Sequence, residues 1–420
     1  MNRRSFLKSF GTQLAGVFGV SSSLFPAWMP KMAFSPQRQR SADHDVLVVI
    51  FQRGGMDGLN AVVPFGEGAH YYDRRPSIAI PEPGAYSGAI DLDGFFGFHP
   101  ALASLKDVFD AGHLAVIHGA GSPDPTRSHF DAMEYMERGI PGDRMTSTGW
   151  ITRHLQLAAW QNDSPFRAIG MGAMLPSSLR GEVSAVALRS IADFHLDGRS
   201  DQLRGIQQTL ARLYRVDSPA DALNMQASNL FEMIEMLGNY ALEGYTPSGG
   251  AAYPETEFGL GLMQTAQLIK ADIGLEVSCI NIGGWDTHDN QGGVEGQMAG
   301  LLTELAQGLS AFYSDMGDLM VNVTVVTMSE FGRTTSENAS GGTDHGRASV
   351  MFVMGGGLKG GMYANWQGLH DDALEDGDLA VTTDYRDILG EILTNRLGST
   401  ALPEIFPGYT YSPSGIIIPR

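Results

Sequence analysis

Along the chain, unbroken apolar runs take turns with segments of helical spacing. Asp45 to Phe51 is continuous and β-branched, as in a strand buried on both faces of a parallel sheet. Pro100–Ala111 has helical spacing and Leu114–His118 is a second apolar run, so the two predict a crossover unit. His129–Arg138 predicts a helix, and Phe166–Met171 and Val183–Leu188 predict strands. Ser200–Leu242 has helical spacing broken near Asp217-Ser218-Pro219; a Gly-, Pro- and Ser-rich loop and a helix at Glu255–Ala271 follow. The alternation then resumes with strand Leu275–Ile282, helix Val294–Met316, strands Val321–Met328 and Ser349–Met354, and helix Tyr385–Leu397. The expected fold class is α/β: a doubly wound, mostly parallel sheet with a helical insertion at about residues 198–272.

The first residues stand outside this pattern. Met1-Asn2-Arg3-Arg4-Ser5-Phe6-Leu7-Lys8 precedes an uncharged, mildly apolar stretch from Ser9 to Phe25. That stretch is too short and too weakly apolar for a membrane span, which needs ~20 apolar residues. A charged head, an apolar middle and small residues near Ala27 and Ala33 describe a signal peptide. The paired arginines point to the twin-arginine export machinery as a partner. Cleavage at Pro26-Ala27 and at Met32-Ala33 both fit. The expected organisation is a leader at 1–33 and one α/β domain at 34–420, periplasmic or secreted, with no transmembrane segment in the mature chain.

Charge narrows the function. The chain has 28 basic and 47 acidic residues, a net charge of −19. The leader holds Arg3, Arg4, Lys8 and Lys31 and no acid, so the mature chain is more acidic still. Such a surface repels nucleic acid and anionic lipid and suits a protein that holds cations. The single cysteine, Cys279, rules out an intramolecular disulfide and lies in an apolar run, where a core thiol is expected.

In doubly wound sheets the functional loops lie beyond the carboxyl ends of the strands. After the first strand comes Arg53-Gly-Gly-Met-Asp57-Gly-Leu-Asn60, offering Arg53 and Asp57. After the second, Thr126-Arg127-Ser128-His-Phe-Asp131 opens a helix, where Ser128 is either an N-cap or a nucleophile. After Leu275–Ile282, Gly284-Trp-Asp286-Thr-His288 places a carboxylate and an imidazole two residues apart, a mix that divalent cations favour. Ser329-Glu330-Phe-Gly-Arg333-Thr334 offers Glu330 as ligand or base and Arg333 as its pair or an oxyanion partner. Thr343-Asp344-His345-Gly346 can ligate metal or orient another ligand.

Together these motifs resemble the exported family called domain of unknown function 1501, over nearly the whole mature chain. That family looks like a branch of the alkaline phosphatase–sulfatase–phosphoglycerate mutase superfamily. The resemblance implies a doubly wound sheet, usually two metals, and a Ser, Thr or Cys nucleophile at a helix start. By it, Asp57 matches the first-strand aspartate, Ser128 (or Thr126) the nucleophile, and Asp286 and His288 an Asp–His pair. Either Glu330 substitutes for the aspartate of the adjacent Asp-His, with His345 as the later histidine, or Asp344-His345 is that dyad and His370 the last ligand. The expected ligand set is therefore Asp57, Asp286, His288, Glu330, Asp344 and His345, holding divalent ions such as Zn, Mn or Ca. Arg53, Arg127 and Arg333 are candidate oxyanion partners of a small anionic ester. Two functions follow as alternatives: a metal-dependent hydrolase of phosphate or sulfate esters using Ser128, or a non-catalytic protein that binds metal or a partner.

Overall fold

A computed structural model describes residues 45–158, 162, 164–191 and 245–420. The leader at 1–33 and the helical stretch Ser200–Leu242 lie outside the described residues. The central sheet uses β1 (Val46–Gln52), β2 (Leu114–Gly121), β3 (Ala168–Met171), β4 (Val186–Leu188), β5 (Val277–Ile282), β6 (Val323–Met328), β7 (Ser349–Gly355), β8 (Gly361–Ala364) and β9 (Thr383–Asp384). Their order is β8-β2-β7-β6-β1-β5-β3-β4, with β9 beside the end of β2. β1 pairs in parallel with β5 and β6 and is the fully buried strand its sequence predicts. β7 alone runs antiparallel to its neighbours β2 and β6. The loop entering β7 therefore lies at the edge where the parallel strands end.

Period-two geometry divides β1 between two cores. Val46, Val48 and Ile50 pack with Phe258 and Leu262 of α3 (Glu257–Lys270) and Leu305 and Phe312 of α4 (Gln297–Met316). Leu47, Val49 and Phe51 face Ile388 and Ile392 of α5 (Tyr385–Asn395) and Trp150 and Leu155 of α2 (Trp150–Leu157). Helices thus cover both faces, and each large buried side chain contributes ~1.5–3 kcal/mol of transfer free energy. α3, the described end of the expected insertion, is a layer helix: a Cβ at Gly261 would touch Ile280 and Met171 of the sheet. The Pro100–Ala111 segment is a 3₁₀ turn, Pro100–Leu105, leading into a short α-helix, Lys106–Asp110. Cys279 is a core thiol whose pKa burial pushes up to about 12. Among the described residues no helix is long and apolar enough to cross a membrane.

Candidate metal centre

Four loops meet at the carboxyl edge of β1, β2, β5 and β6, and the incoming loop of β7 joins them. Glycine makes the approach possible. Gly54 has φ +124°, and a Cβ there would lie 2.5 Å from the Asp286 nitrogen. A Cβ at Gly332 would overlap the Ala348 carbonyl. The buried Arg333 guanidinium then ties these loops together. Its Nε donates to the Gly55 carbonyl at 2.6 Å, its Nη1 to Thr343 O at 3.0 Å, and its Nη2 to Gly54 O, to Trp285 O at 2.8 Å and to Asp286 Oδ1 at 2.7 Å.

Three imidazoles surround Asp286. His129 comes from the first turn of α1 (His129–Arg138), His288 from the loop after β5 and His345 from the loop before β7. One ligand atom each from His129, Asp286 and His345 lies within 4.8 Å of the others. His345 Nε2 is 3.0 Å from Asp286 Oδ1, His288 Nε2 is 3.1 Å from that same oxygen, and the two Nε2 atoms are 2.9 Å apart. His129 Nε2 is 3.3 Å from Asp286 Oδ2, yet this buried nitrogen makes no hydrogen bond.

The other nitrogen of each ring faces an acceptor. His129 Nδ1 donates to Glu330 Oε1 at 2.8 Å, His288 Nδ1 to Asp344 Oδ1 at 2.9 Å and His345 Nδ1 to the Arg127 carbonyl at 2.8 Å. An acceptor at Nδ1 places the proton there, so each neutral ring turns an Nε2 lone pair inward. Lone pairs this close repel one another unless a proton or a cation lies between them. Ligands around one tetrahedral ion at ~2.0–2.1 Å lie ~3.3 Å apart, close to the separations seen. The donor set fits a borderline divalent cation. Charges follow the contacts. Burial pushes the Asp286 carboxyl upward, but the hydrogen bond and the positive charge of Arg333 beside it hold it down at about 2. The bond to Glu330 raises His129, and burial lowers His345. The bond from His288, with one from Asn338, lowers Asp344.

The structure brings Asp286, His288 and His345 together and places the other candidates elsewhere. Asp57 does not join them. It caps a buried turn, and its carboxylate takes Arg75 Nη1 at 2.5 Å, Gln291 Nε2 at 2.7 Å and the Leu59 N–H at 3.2 Å. Glu330 and Asp344 stand one layer back, each turned to a histidine. Glu330 is buried and also accepts from the Gly54 N–H at 2.8 Å. Arg333 spends its donors on protein oxygens. Arg53 is tied to Asn281 at 2.8 Å and to Glu137 at 2.7 Å. Arg127 pairs through Nη2 with Asp378 at 2.6 Å and is otherwise half exposed. Ser128 is the exposed N-cap of α1, with the Asp131 N–H at a long 3.5 Å from its Oγ. His129 had no role assigned from sequence. Its position directly after a helix N-cap at a strand end was the available signal.

No curated protein matches the chain. The sequence profile of the family described as "Protein of unknown function (DUF1501)" matches residues 114–395. Among solved structures, the chain is similar to the phosphonate monoester hydrolase SpPMH from Silicibacter pomeroyi, at 11% identity over 89% of this chain and 78% of that one, with a TM-score of 0.39. It is similar to the PsFucS1 sulfatase from Pseudoalteromonas sp., at 13% identity over 91% and 74%, TM-score 0.36. It is also similar to the alkaline phosphatase from the Antarctic bacterium TAB5, at 10% identity over 77% and 95%, TM-score 0.31. The fold stands on its strand order, and the site on its geometry.

Proposed function

The chain belongs to this family, DUF1501, whose description assigns no activity, and from the site we propose an exported, metal-dependent hydrolase of phosphate or sulfate esters on an alkaline phosphatase-like fold, with Ser128 as nucleophile. One observation carries the metal reading: three histidines, each with Nδ1 held by an acceptor, converge through Nε2 on one carboxylate. His129, Asp286 and His345 would hold the ion, with His288 Nε2 beside Asp286 and His345. A bound divalent cation supplies Lewis acidity, easing deprotonation of a nearby hydroxyl and stabilising charge on ester oxygens.

The chain's own residues do the rest. Contacts on both sides hold Ser128 in place: the Arg127 carbonyl accepts from His345 Nδ1, and the His129 imidazole donates to Glu330. The long cap bond leaves the Ser128 hydroxyl weakly held and in solvent. Its oxygen attacks phosphorus or sulfur, the ester alcohol leaves, and water then cleaves the seryl ester and restores the hydroxyl. The free edge of the Arg127 guanidinium, beyond the Nη2 that holds Asp378, is available to an ester oxyanion. Arg53 and Arg333 serve the protein instead.

Hydrolysis of aryl phosphates and aryl sulfates, with Zn²⁺, Mn²⁺ or Ca²⁺ added, tests this. Ser128→Ala should abolish turnover and keep the metal, whereas a plain cap would cost ~1 kcal/mol of stability and spare activity. Activity surviving in Ser128→Ala overturns the nucleophile. One observation favours a non-catalytic reading: Asp57, the expected first-strand ligand, is sealed away by Arg75. A metal-loaded parent inert to all these esters would support that reading. The export reading rests on the leader, Arg3-Arg4 ahead of its apolar stretch; replacing both arginines by lysine should hold the precursor in the cytoplasm, and unchanged export of that variant removes the twin-arginine claim.

A further inference from the structure

We infer that Asp378 is a positioning residue of this centre, acting through Arg127 on His345. It sits in a small hairpin, Leu374–Glu375 against Asp378–Leu379, far from the centre in sequence. Its carboxylate is 1% exposed and is paired with Arg127 Nη2 at 2.6 Å. Burial pushes its carboxyl up to about 6, against the pull of Arg127 and Arg347. A buried ion pair of this kind brings little net stability, because desolvation offsets the attraction. Its geometric effect is larger.

The loop from Ser122 to Ser128 contains Pro123 and Pro125 and makes local bonds to its own side chains. Asp124 N–H donates to Ser122 Oγ, Thr126 N–H to Asp124 Oδ1 and Ser128 N–H to Thr126 Oγ1. Its fit against the other site loops is set across the gap. Arg127 reaches Asp378, Arg347 Nη2 reaches the Pro123 carbonyl at 3.2 Å, and His345 Nδ1 reaches the Arg127 carbonyl. The hairpin is fixed in turn. Asp378 forms an isolated bridge with Thr334, next to the bridge between Arg333 and His345, and Thr335 Oγ1 donates to the Gly377 carbonyl at 2.7 Å. One residue, Arg127, thus carries both the side chain that Asp378 holds and the carbonyl that sets the His345 tautomer.

The proposal rests on the metal reading, and two measurements separate their failures. The first is Zn²⁺ affinity of the full-length protein. Asp378→Asn and Arg127→Ala should each lower it ~10–100-fold, the usual cost of losing an outer partner of a ligand. The double variant should be no weaker than either single one, and Asp378→Glu should recover most of the affinity. Additive losses, or unchanged affinity in folded variants, overturn the proposal. The second is the ¹⁵N signature of His345 in metal-free protein. The parent should show a fixed Nδ1–H tautomer and Asp378→Asn a mixed one; an unchanged signature also overturns the proposal. If the parent binds no Zn²⁺ yet Asp378→Asn shifts the tautomer, the metal reading fails and the positioning role stands. Should Asp378→Asn not fold, Arg127→Gln, which also removes the ion pair, is read the same way.

Discussion

Two aspartates, Asp57 and Asp286, each meet a guanidinium that solvent does not reach, and the surroundings give them opposite roles. Asp57 and Arg75 are both sealed, at 1% and 0% side-chain exposure. Asp286 is paired with an equally buried Arg333 but is itself 45% exposed. The histidines differ in the same sense. Near Asp57, His99 and His118 donate from Nε2 to the carbonyls of Gly293 and Val62, each at 3.0 Å, and accept at Nδ1 from the N–H groups of Ala101 and Gly119. Near Asp286 the protons sit on Nδ1 and the lone pairs on Nε2 face one another. A sealed polar network with every group satisfied is architecture. An open one with converging lone pairs has room for a ligand.

The largest expected effect tests that contrast directly. Asp57→Ala leaves Arg75 buried without its carboxylate and should cost about 3–5 kcal/mol in urea unfolding, with metal content unchanged in the folded fraction. Asp286→Asn keeps an acceptor for Arg333, so stability should change little while Zn²⁺ binding is lost. Equal loss of metal in both variants would erase the distinction. Next come the outer carboxylates. Glu330→Gln, at a buried site, should weaken Zn²⁺ binding ~10–100-fold, and Asp344→Asn, at a carboxylate 61% exposed, should weaken it less. The reverse order in a metal titration would show that burial does not set the strength of the hold.

The smallest effect concerns acid. Burial lowers His118 to about 4 and also lowers His99. A depressed native pKa means that the unfolded chain binds the proton first. Stability should therefore be full above pH ~6.5 and fall below it, for His118 down to about pH 4 and by up to about 1.4 kcal/mol per pH unit, with His99 acting in the same direction. Urea unfolding at pH 7.5 and 5 measures this fall. His118→Gln should make it shallower, and an unaltered slope would remove His118 as a source.

Much of the scaffold was legible because the signals are local. Helix His129–Arg138 has the limits its spacing predicts, with Ser128 before it and Gly139 in the left-handed conformation after it. Most parallel strands follow from their apolar runs, within two or three residues at their ends, but Gly361–Ala364 and Thr383–Asp384, which also pair in parallel, carry no such run and were not predicted. The helix Trp150–Leu157 was not predicted; it buries Trp150, Ile151 and Leu155 against the second core. The antiparallel course of β7 was also hidden, because a strand buried on both faces looks the same in either direction.

The sequence by itself determined that this is an α/β chain with Asp, Glu, His, Arg and Ser gathered at strand ends, since runs and motifs are properties of neighbours along the chain. It left open which of those groups are spent. Only the tertiary structure closed Asp57 with Arg75 and Gln291, consumed Arg333 on the carbonyls of three loops, and brought Glu330, 201 positions away, against His129. Whether a carboxylate is a ligand or a brace depends on which donors reach it first. Those donors arrive from loops that meet only when the sheet has formed.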